Sequence, residues 1–240
     1  VLSQADAILR QFDVLDDRRF KLYLISRYPE LGIGAVRGER GARLNAQPRY
    51  FDTIDQICRA WRFVQDERVD INTLRQHDAS LADTLERLKA CLIRDQFIDF
   101  SEMIRQVVDK AEAQNIGVIR VLSGITDLLV DEYQDVSPCE ERLVQLIRQQ
   151  GASLFVVGDD DQAIYSFRGS DVSNILSFQD RYQGASNHTL SQNFRSTQAI
   201  VDVADGFIRA ELGAQRLDKQ PVARETKTPR QIGVHWFDNR

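Results

Sequence analysis

Residues 127–135 read Asp-Leu-Leu-Val-Asp-Glu-Tyr-Gln-Asp, an apolar run of strand length that ends in a cluster of carboxylates. A short candidate strand that ends in a polar cluster recurs twice downstream. Residues 154–157 run into Gly-Asp-Asp-Asp-Gln at 158–162, and residues 188–190 run into Ser-Gln-Asn-Phe-Arg-Ser at 191–196. Short apolar runs that alternate with helical patterns are typical of a parallel α/β sheet. From about Gly117 onward we therefore expect an α/β fold whose strands pair in one parallel sheet, with the polar clusters at their carboxyl ends.

The helix between the first two strands is marked at both ends. Ser137 is placed to cap its N-terminus, Pro138 stands in the first turn, Glu140 completes a capping box, and Gly151 follows the last turn. Gly206 to Arg230 reads as a connector with few apolar residues, and Ile232 to Phe237 as a further strand.

Upstream, to about Gln114, the chain reads as helices. Thr53 to Gln56 has the layout of a capping box, and a second helix carries leucines at three- and four-residue spacing. A third helix is predicted to open at Asp99 to Glu102. Each of the three helices is predicted from a stripe of apolar side chains that recur along one helix face. The stripes are Ile54, Ile57, Trp61 and Val64; Leu81, Leu85, Leu88 and Leu92; and Met103, Ile104, Val107, Val108 and Ala111. Residues 32–49 are rich in Gly and Arg, which fits either a solvated loop or a contact to a phosphate backbone.

Composition narrows the class of protein without naming a partner. The net charge is −5, so a nucleic-acid interface would have to be a local feature. The longest apolar runs are about five residues, far short of a membrane span of roughly 18. Cys58, Cys91 and Cys139 lie far apart, which indicates reduced core thiols and a cytoplasmic protein.

The three polar clusters together carry what phosphoryl transfer to water needs. One carboxylate must hold Mg²⁺, a second must activate the water, and a neutral side chain and an arginine must contact the γ-phosphate. Asp131 suits the metal and Glu132, its neighbour, suits the water. Gln162 and Arg195 suit the two remaining roles.

The motifs that contain these residues are similar to those of a known protein family. Residues 131–135 resemble the second motif, the Walker B box, of superfamily 1 helicases; residues 157–169 resemble the third motif of the UvrD/Rep group, and residues 190–196 its fourth. The resemblance implies an ATP-driven DNA helicase that moves 3′ to 5′ on single-stranded DNA and acts on DNA junctions, with ATP and Mg²⁺ as cofactors. It covers about residues 127–197.

The resemblance also implies a role for each matching residue. Asp131 would bind Mg²⁺, Glu132 would activate water, Gln162 would contact the γ-phosphate, and Arg195 would be an arginine finger. The third motif would supply the DNA contacts, through Tyr165, Phe167 and Arg168. The second motif would couple the nucleotide to neighbouring motifs, through Gln134 and Asp135. The family has Trp where this chain has Phe167, and stacking on bases should survive that change.

The implied fold is a partial RecA-like P-loop NTPase sheet preceded by a helical inserted subdomain. Residues 1–116 would be the helical subdomain, 117–212 the carboxyl-terminal part of the first motor domain, and 213–240 a connector and the start of the second motor domain. The family's Gly-x-x-Gly-x-Gly-Lys-Thr phosphate loop is missing from these 240 residues. We therefore expect a piece of a longer protein that is inactive alone.

Two other functions stay open on sequence grounds. The first is a helicase-derived module that binds single-stranded DNA or a protein partner without hydrolysing ATP. The second is a metal-dependent phosphohydrolase or nuclease that uses Asp159, Asp160 and Asp161, although no histidine or further acidic ligand stands at metal-binding spacing.

Overall fold

The computed structural model describes residues 12–36, 50–163, 173–213, 216–217 and 219–224. The predicted DNA contacts of Tyr165, Phe167 and Arg168, and the predicted strand at 232–237, lie outside the described residues.

The first part of the chain is mostly helical, as predicted, but it also contains a small parallel sheet. Its helices are α1 (Asp17–Ser26), α2 (Ile33–Val36), α3 (Tyr50–Asp66), α4 (Ile71–Arg75) and α5 (Ala79–Arg94). Strand β1 (Asp13–Leu15) pairs in parallel with β2 (Phe97–Asp99), two strands that the sequence analysis did not predict. The predicted stripes of α3 and α5 are buried and meet in one core around Trp61.

One predicted helix start was wrong. Thr53 lies inside α3, three residues after its first residue, and its side chain is buried on the core face beside Ile54. Thr53 therefore packs into the core, and the capping-box pattern at 53–56 does not begin the helix. The start predicted at Asp99 is confirmed, because the Asp99 carboxylate caps α6 (Phe100–Glu112) by accepting from the Glu102 amide at 3.0 Å.

A second core lies where α6, α7 (Ile116–Leu122) and α8 (Pro138–Gln149) meet, beside strands β3 (Asp127–Val130) and β4 (Ser153–Val156). The two strands pair in parallel, with Asp127 opposite Ser153 and Val130 opposite Val156. The predicted capping box of α8 is present in both directions, with Pro138 in its first turn. Gly151 has φ +101°, a conformation that favours glycine and ends the helix where the sequence predicted.

The expectation of one sheet was wrong for the third strand. After α9 (Ser173–Leu176) and α10 (Phe178–Arg181), strand β5 is Gln192–Asn193, a few residues beyond the predicted 188–190. It pairs in parallel with β6 (Val222–Ala223) and not with β3 or β4. Leu190 is 92% exposed, so no core holds the predicted strand in place. The expected connector also begins late, because α11 (Gln198–Leu212) continues through Gly206.

Among the described residues, side chains cover only one face of the β3–β4 pair. Leu128 and Leu154 are half-buried on the inner face, while Leu129 and Phe155 on the other face are 73% and 62% exposed. All three cysteines are buried and unpaired, as predicted. In the described ranges, no helix combines the length and apolar character needed to cross a membrane.

Candidate active site

Asp131 and Glu132 follow directly after β3, and both side chains are exposed. The Asp131 Oδ1 accepts a hydrogen bond from the Glu132 amide at 2.9 Å, which fixes the carboxylate at the strand end. Glu132 has φ 51° and ψ 44°, a left-handed conformation that costs a side-chain-bearing residue roughly 1–2 kcal/mol. Strain of this kind is concentrated at functional sites.

The left-handed backbone of Glu132 differs in its setting from the other non-glycine cases. Arg68, Gln96 and Gln114 also have positive φ, but each lies just past the end of a helix, where a left-handed residue is an ordinary way to stop. Glu132 instead stands between a strand and a 3₁₀ turn at residues 133–135. The turn redirects the chain so that Glu132 and Gln134 face each other.

Gln134 joins the ends of the two parallel strands. Its side chain is 1% exposed, and both ends of its amide are bonded. The Nε2 donates to Glu132 Oε2 at 2.7 Å, and Oε1 accepts from the backbone N–H of Asp159 at 2.9 Å. The residue expected to couple the nucleotide to neighbouring motifs therefore lies between the cluster after β3 and the cluster after β4.

Gly158 provides the space for this contact. A Cβ built on Gly158 would lie 2.8 Å from Gln134 Oε1, 2.8 Å from Ile175 Cδ1 and 3.2 Å from the Tyr133 amide nitrogen. Atoms do not approach so closely without displacement, so a side chain here would push the Gln134 amide away from Asp159. Glycine is required at this position by packing, since its φ is not in the left-handed region.

Gln162 ends a 3₁₀ turn that is capped by Asp159. The Asp159 Oδ1 accepts from the Asp161 amide at 3.2 Å, and Oδ2 accepts from Gln162 Nε2 at 2.8 Å. The exposed Gln162 side chain is thus held to the loop, and a continuous hydrogen-bonded path runs from Glu132 through Gln134 and Asp159 to Gln162.

Arg195 lies in a separate turn after β5. The Asn193 Oδ1 accepts from the amides of Arg195 at 2.9 Å and Ser196 at 2.8 Å, so a single side chain shapes the turn. The Arg195 side chain is exposed and makes no ion pair with any described residue. No hydrogen bond within the described ranges joins it to Asp131, Glu132 or Gln162, and its convergence with them stays a prediction.

A buried carboxylate braces the turn beneath Glu132. Glu141 of α8 is 4% exposed and accepts hydrogen bonds from the hydroxyls of Tyr133 and Tyr182, from Gln145 and from Arg181. Burial raises the pKa of the Tyr133 hydroxyl far above its usual range, and the bond to Glu141 adds to this, so the hydroxyl keeps its proton and donates. The sequence analysis did not predict this brace, because the donors to Glu141 lie 4 to 41 residues away from it along the chain.

The sequence leaves open a metal-binding role for the three aspartates after β4. The structure surrounds them with cations from the far end of the chain, since Lys219 pairs with all three and Arg216 pairs with Asp161 at 2.8 Å. The ammonium group takes the place at which three carboxylates could hold a cation. This arrangement gives no support to a metal-dependent nuclease centre at Asp159–Asp161.

The fold and the site thus define an α/β protein with acidic and amide side chains linked across the carboxyl ends of two parallel strands. Residues 6–183 match the model of the UvrD/REP helicase N-terminal domain. This match covers more than half of the chain, so the chain belongs to the UvrD/Rep-type superfamily 1 helicase family.

Individual relatives agree with the family match. The chain is 37% identical over 129 residues to the ATP-dependent DNA helicase PcrA of Leuconostoc citreum, covering 54% of this chain and 17% of that protein. It is 31% identical over 164 residues to PcrA of Staphylococcus epidermidis (strain ATCC 35984), and 30% identical over 162 residues to PcrA of Staphylococcus aureus (strain Mu50). These last two alignments each cover 68% of this chain and 22% of the relative. The chain therefore spans about a fifth of the length of the relatives that it matches.

Proposed function

We propose that this chain carries the ATP-hydrolysis residues of a DNA helicase that moves 3′ to 5′ along single-stranded DNA and acts on DNA junctions. The observation that carries the proposal is the hydrogen-bonded path from Glu132 to Gln162 through Gln134 and Asp159. It links the residue expected to activate water with the residue expected to contact the γ-phosphate, across two strand ends. In the relatives named PcrA, the activity is that of an ATP-dependent DNA helicase.

Asp131 fits a magnesium ligand. Its carboxylate is exposed at a strand end, and the bond from the Glu132 amide to Oδ1 orients it while Oδ2 faces no described donor. Mg²⁺ keeps most of its water shell and is commonly held by one or two carboxylates together with substrate phosphates. When bound with ATP, the ion would neutralise charge on the β- and γ-phosphates.

Glu132 fits the residue that orients and deprotonates the attacking water. Its backbone is left-handed, and Gln134 Nε2 donates to one of its carboxylate oxygens at 2.7 Å. Because the Glu132 carboxylate is held in this way and does not rotate freely, the direction of its other oxygen is fixed as well. Such positioning supplies most of the rate in phosphoryl transfer.

Gln162 and Arg195 fit the groups that contact the γ-phosphate from two different turns. Gln162 is exposed but tethered to Asp159, and the Arg195 guanidinium has no ion pair within the described residues, so it is available for an anionic ligand. An arginine finger of this kind stabilises charge that develops in the transition state. Tyr165, Phe167 and Arg168 would contact single-stranded DNA, the aromatic rings by stacking on bases. Gln134 and Asp135 would couple the nucleotide to the neighbouring motifs.

The exposed outer face of β3 and β4 supports a further part of the proposal. Parallel strands are ordinarily covered on both faces, yet Leu129 and Phe155 are largely uncovered by the described residues. We infer that residues 117–212 belong to a larger RecA-like domain, that 1–116 are its inserted helical subdomain, and that 213–240 lead into a second motor domain. Without a phosphate loop, the 240 residues alone would lack a group that holds ATP.

The test is steady-state ATP hydrolysis and strand separation by the complete protein that carries this chain. Glu132→Gln keeps the size of the side chain and removes the base, so ATP should still bind while turnover collapses. Arg195→Ala should reduce turnover by on the order of 10³-fold or more. Glu211→Gln, on the exposed side of α11, is the matched control and should behave as the wild type.

Two results would contradict the proposal. If Glu132→Gln and Arg195→Ala both hydrolyse ATP within a few-fold of Glu211→Gln, these residues do not have the proposed roles. If the wild-type protein binds single-stranded DNA but shows no ATP hydrolysis, it is a helicase-derived binding module.

A further inference from the structure

The three consecutive aspartates after β4 form a dense negative cluster. Asp159, Asp160 and Asp161 offer carboxylate oxygens that all lie within 4.8 Å of one another. The side chains of Asp160 and Asp161 are only 2% and 13% exposed. Like charges this close and this poorly hydrated destabilise a loop unless cations or donors balance them.

A single distant segment supplies that balance. We define the strap as residues 216–217 and 219–224, which follow α11 and contain β6. The Lys219 ammonium pairs with Asp159, with Asp160 at 2.6 Å and with Asp161 at 3.0 Å, so each of its three protons has an acceptor. The Leu217 amide donates to Asp160 at 2.7 Å.

Lys219 and Asp159 keep their charges at neutral pH. Burial lowers the pKa of the Lys219 ammonium, but its hydrogen bonds to the three aspartates outweigh burial and hold that pKa above its ordinary value. Burial also raises the pKa of Asp159, while the bonds from Lys219 and Gln162 outweigh it and hold that pKa below its usual range. The ion pair between Lys219 and Asp159 is therefore formed at neutral pH.

The other end of the strap holds the strand that leads to Arg195. Its β6 residues pair with β5, with the Val222 amide donating to Ser191 O at 2.9 Å and the Arg224 amide donating to Asn193 O at 2.9 Å. Asn193 in turn shapes the turn that contains Arg195. Between Lys219 and Ala223 the chain advances four residues, which can span at most about 14 Å when fully extended.

Lys219 and Gln162 also bind the same carboxylate. Gln162 Nε2 donates to Asp159 Oδ2, and Lys219 binds Asp159 Oδ1. The polar clusters after β4 and after β5 belong to different small sheets, β3–β4 and β5–β6, so no strand pairing fixes their separation within the described residues. The strap is the short connection that touches both.

We propose that Lys219 is a positioning residue for Gln162 and Arg195: it fastens the strap to the aspartate triplet, while β6 holds the strand before Arg195, so that the strap sets the separation of the two side chains. This inference rests on the proposed ATP hydrolysis. Arg216 supports the same connection, because it binds Asp161 at one end of its guanidinium and Asp205 of α11 at the other.

The test compares four forms of the complete protein in DNA-stimulated ATP hydrolysis, with kcat and KM measured separately. Lys219→Met removes the charge and keeps the length, Lys219→Arg keeps the charge, and Lys89→Met on the exposed face of α5 is the control. A misplaced catalytic group should cost about 10–100-fold in kcat while KM for ATP changes by no more than about threefold. Lys219→Arg should recover most of the loss, and Lys89→Met should match the wild type.

Three outcomes would overturn the inference, and each differs from a failure of the proposed function. A folded Lys219→Met with wild-type kcat shows that the strap does not position the site. An equal loss in Lys219→Met and Lys219→Arg shows that the charge is not what matters. A gain in thermal stability with millimolar Mn²⁺ that disappears in Asp160→Asn shows that a cation displaces the ammonium. Absence of DNA-stimulated hydrolysis in the wild type contradicts the proposed function itself.

A second variant covers the case in which Lys219→Met does not fold. The double change of Lys219→Met with Asp161→Asn removes one charge of each sign, so the loop keeps its charge balance while the strap is released. Its kcat should fall as for Lys219→Met alone, and wild-type kcat in this double variant would contradict the inference. Hydrogen exchange at the Val222 and Arg224 amides should be faster in the same variant. Both amides belong to the strap and donate to the backbone oxygens of Ser191 and Asn193, and these bonds should open more often once the strap is released.

Discussion

Replacing Gly158 by alanine tests the link between the two strand ends. The new Cβ would lie 2.8 Å from both Gln134 Oε1 and Ile175 Cδ1. The Ile175 methyl can move, but Gln134 is buried and bonded at both ends of its amide. The substitution therefore forces Gln134 to give up its bond from the Asp159 amide.

The expected cost follows from these contacts. A buried polar group that loses its partner costs about 1–3 kcal/mol, and overpacking by one methyl group adds about 1–3 kcal/mol. With partial relaxation of Ile175, we expect the free energy of unfolding to fall by about 2–4 kcal/mol. Loss of the Gln134 bridge should also lower ATP turnover in the complete protein, because Glu132 and Gln162 are then no longer linked.

Urea denaturation of the 240-residue chain measures the stability change, and Gly206→Ala is the matched control. Gly206 is inside α11, has open space where a Cβ would stand and does not have positive φ, so alanine there should be neutral or stabilise by up to about 1 kcal/mol. If Gly158→Ala unfolds at the same urea concentration as Gly206→Ala, Gly158 does not provide the space that Gln134 needs.

Three further predictions concern pH, DNA and the isolated chain. Burial raises the pKa of Asp66 to about 6, so the folded state binds a proton more tightly than the unfolded state, and stability should fall as pH rises from about 4 to 6. Asp66→Asn should remove on the order of 1–3 kcal/mol of this loss in urea denaturation, and an unchanged pH profile in that variant would contradict the assignment. Phe167→Ala in the complete protein should weaken single-strand binding by roughly 1–3 kcal/mol with ATP affinity retained, and a loss of stability without a loss of DNA affinity would refute stacking. The 240 residues alone should show no ATP hydrolysis, because the exposed carboxylates of Asp131 and Glu132 repel a polyanion that no phosphate loop holds. Micromolar ATP binding in calorimetry would contradict this.

Signals confined to a few neighbouring residues predicted the structure best. The capping box from Ser137 to Glu140, the cap at Asp99 and the stop at Gly151 depend on contacts within three or four residues, and all are present. Strands β3 and β4 were also found from their apolar runs. Local patterns failed where burial decided the outcome, as at Thr53, which packs into the core.

Contacts between residues far apart in the sequence were not predicted. Strand β5 is two residues long and is held by β6, a partner about 30 residues away that has no strand signature of its own. Lys219 and Arg216 lie 55 to 60 residues from the aspartates after β4 that they bind. Three adjacent aspartates in one loop do require counter-charges, and that requirement was the available signal; it could not say which cations would supply them.

The most direct measurement is a structure of the complete protein with Mg²⁺ and a non-hydrolysable ATP analogue. We expect Asp131 to bind the Mg²⁺ through one of the water molecules of the ion. Gln162 and Arg195 should each approach a γ-phosphate oxygen to about 3 Å between heavy atoms. A nucleotide held elsewhere, or an Arg195 guanidinium pointing away from the γ-phosphate, would contradict the assignment of this site.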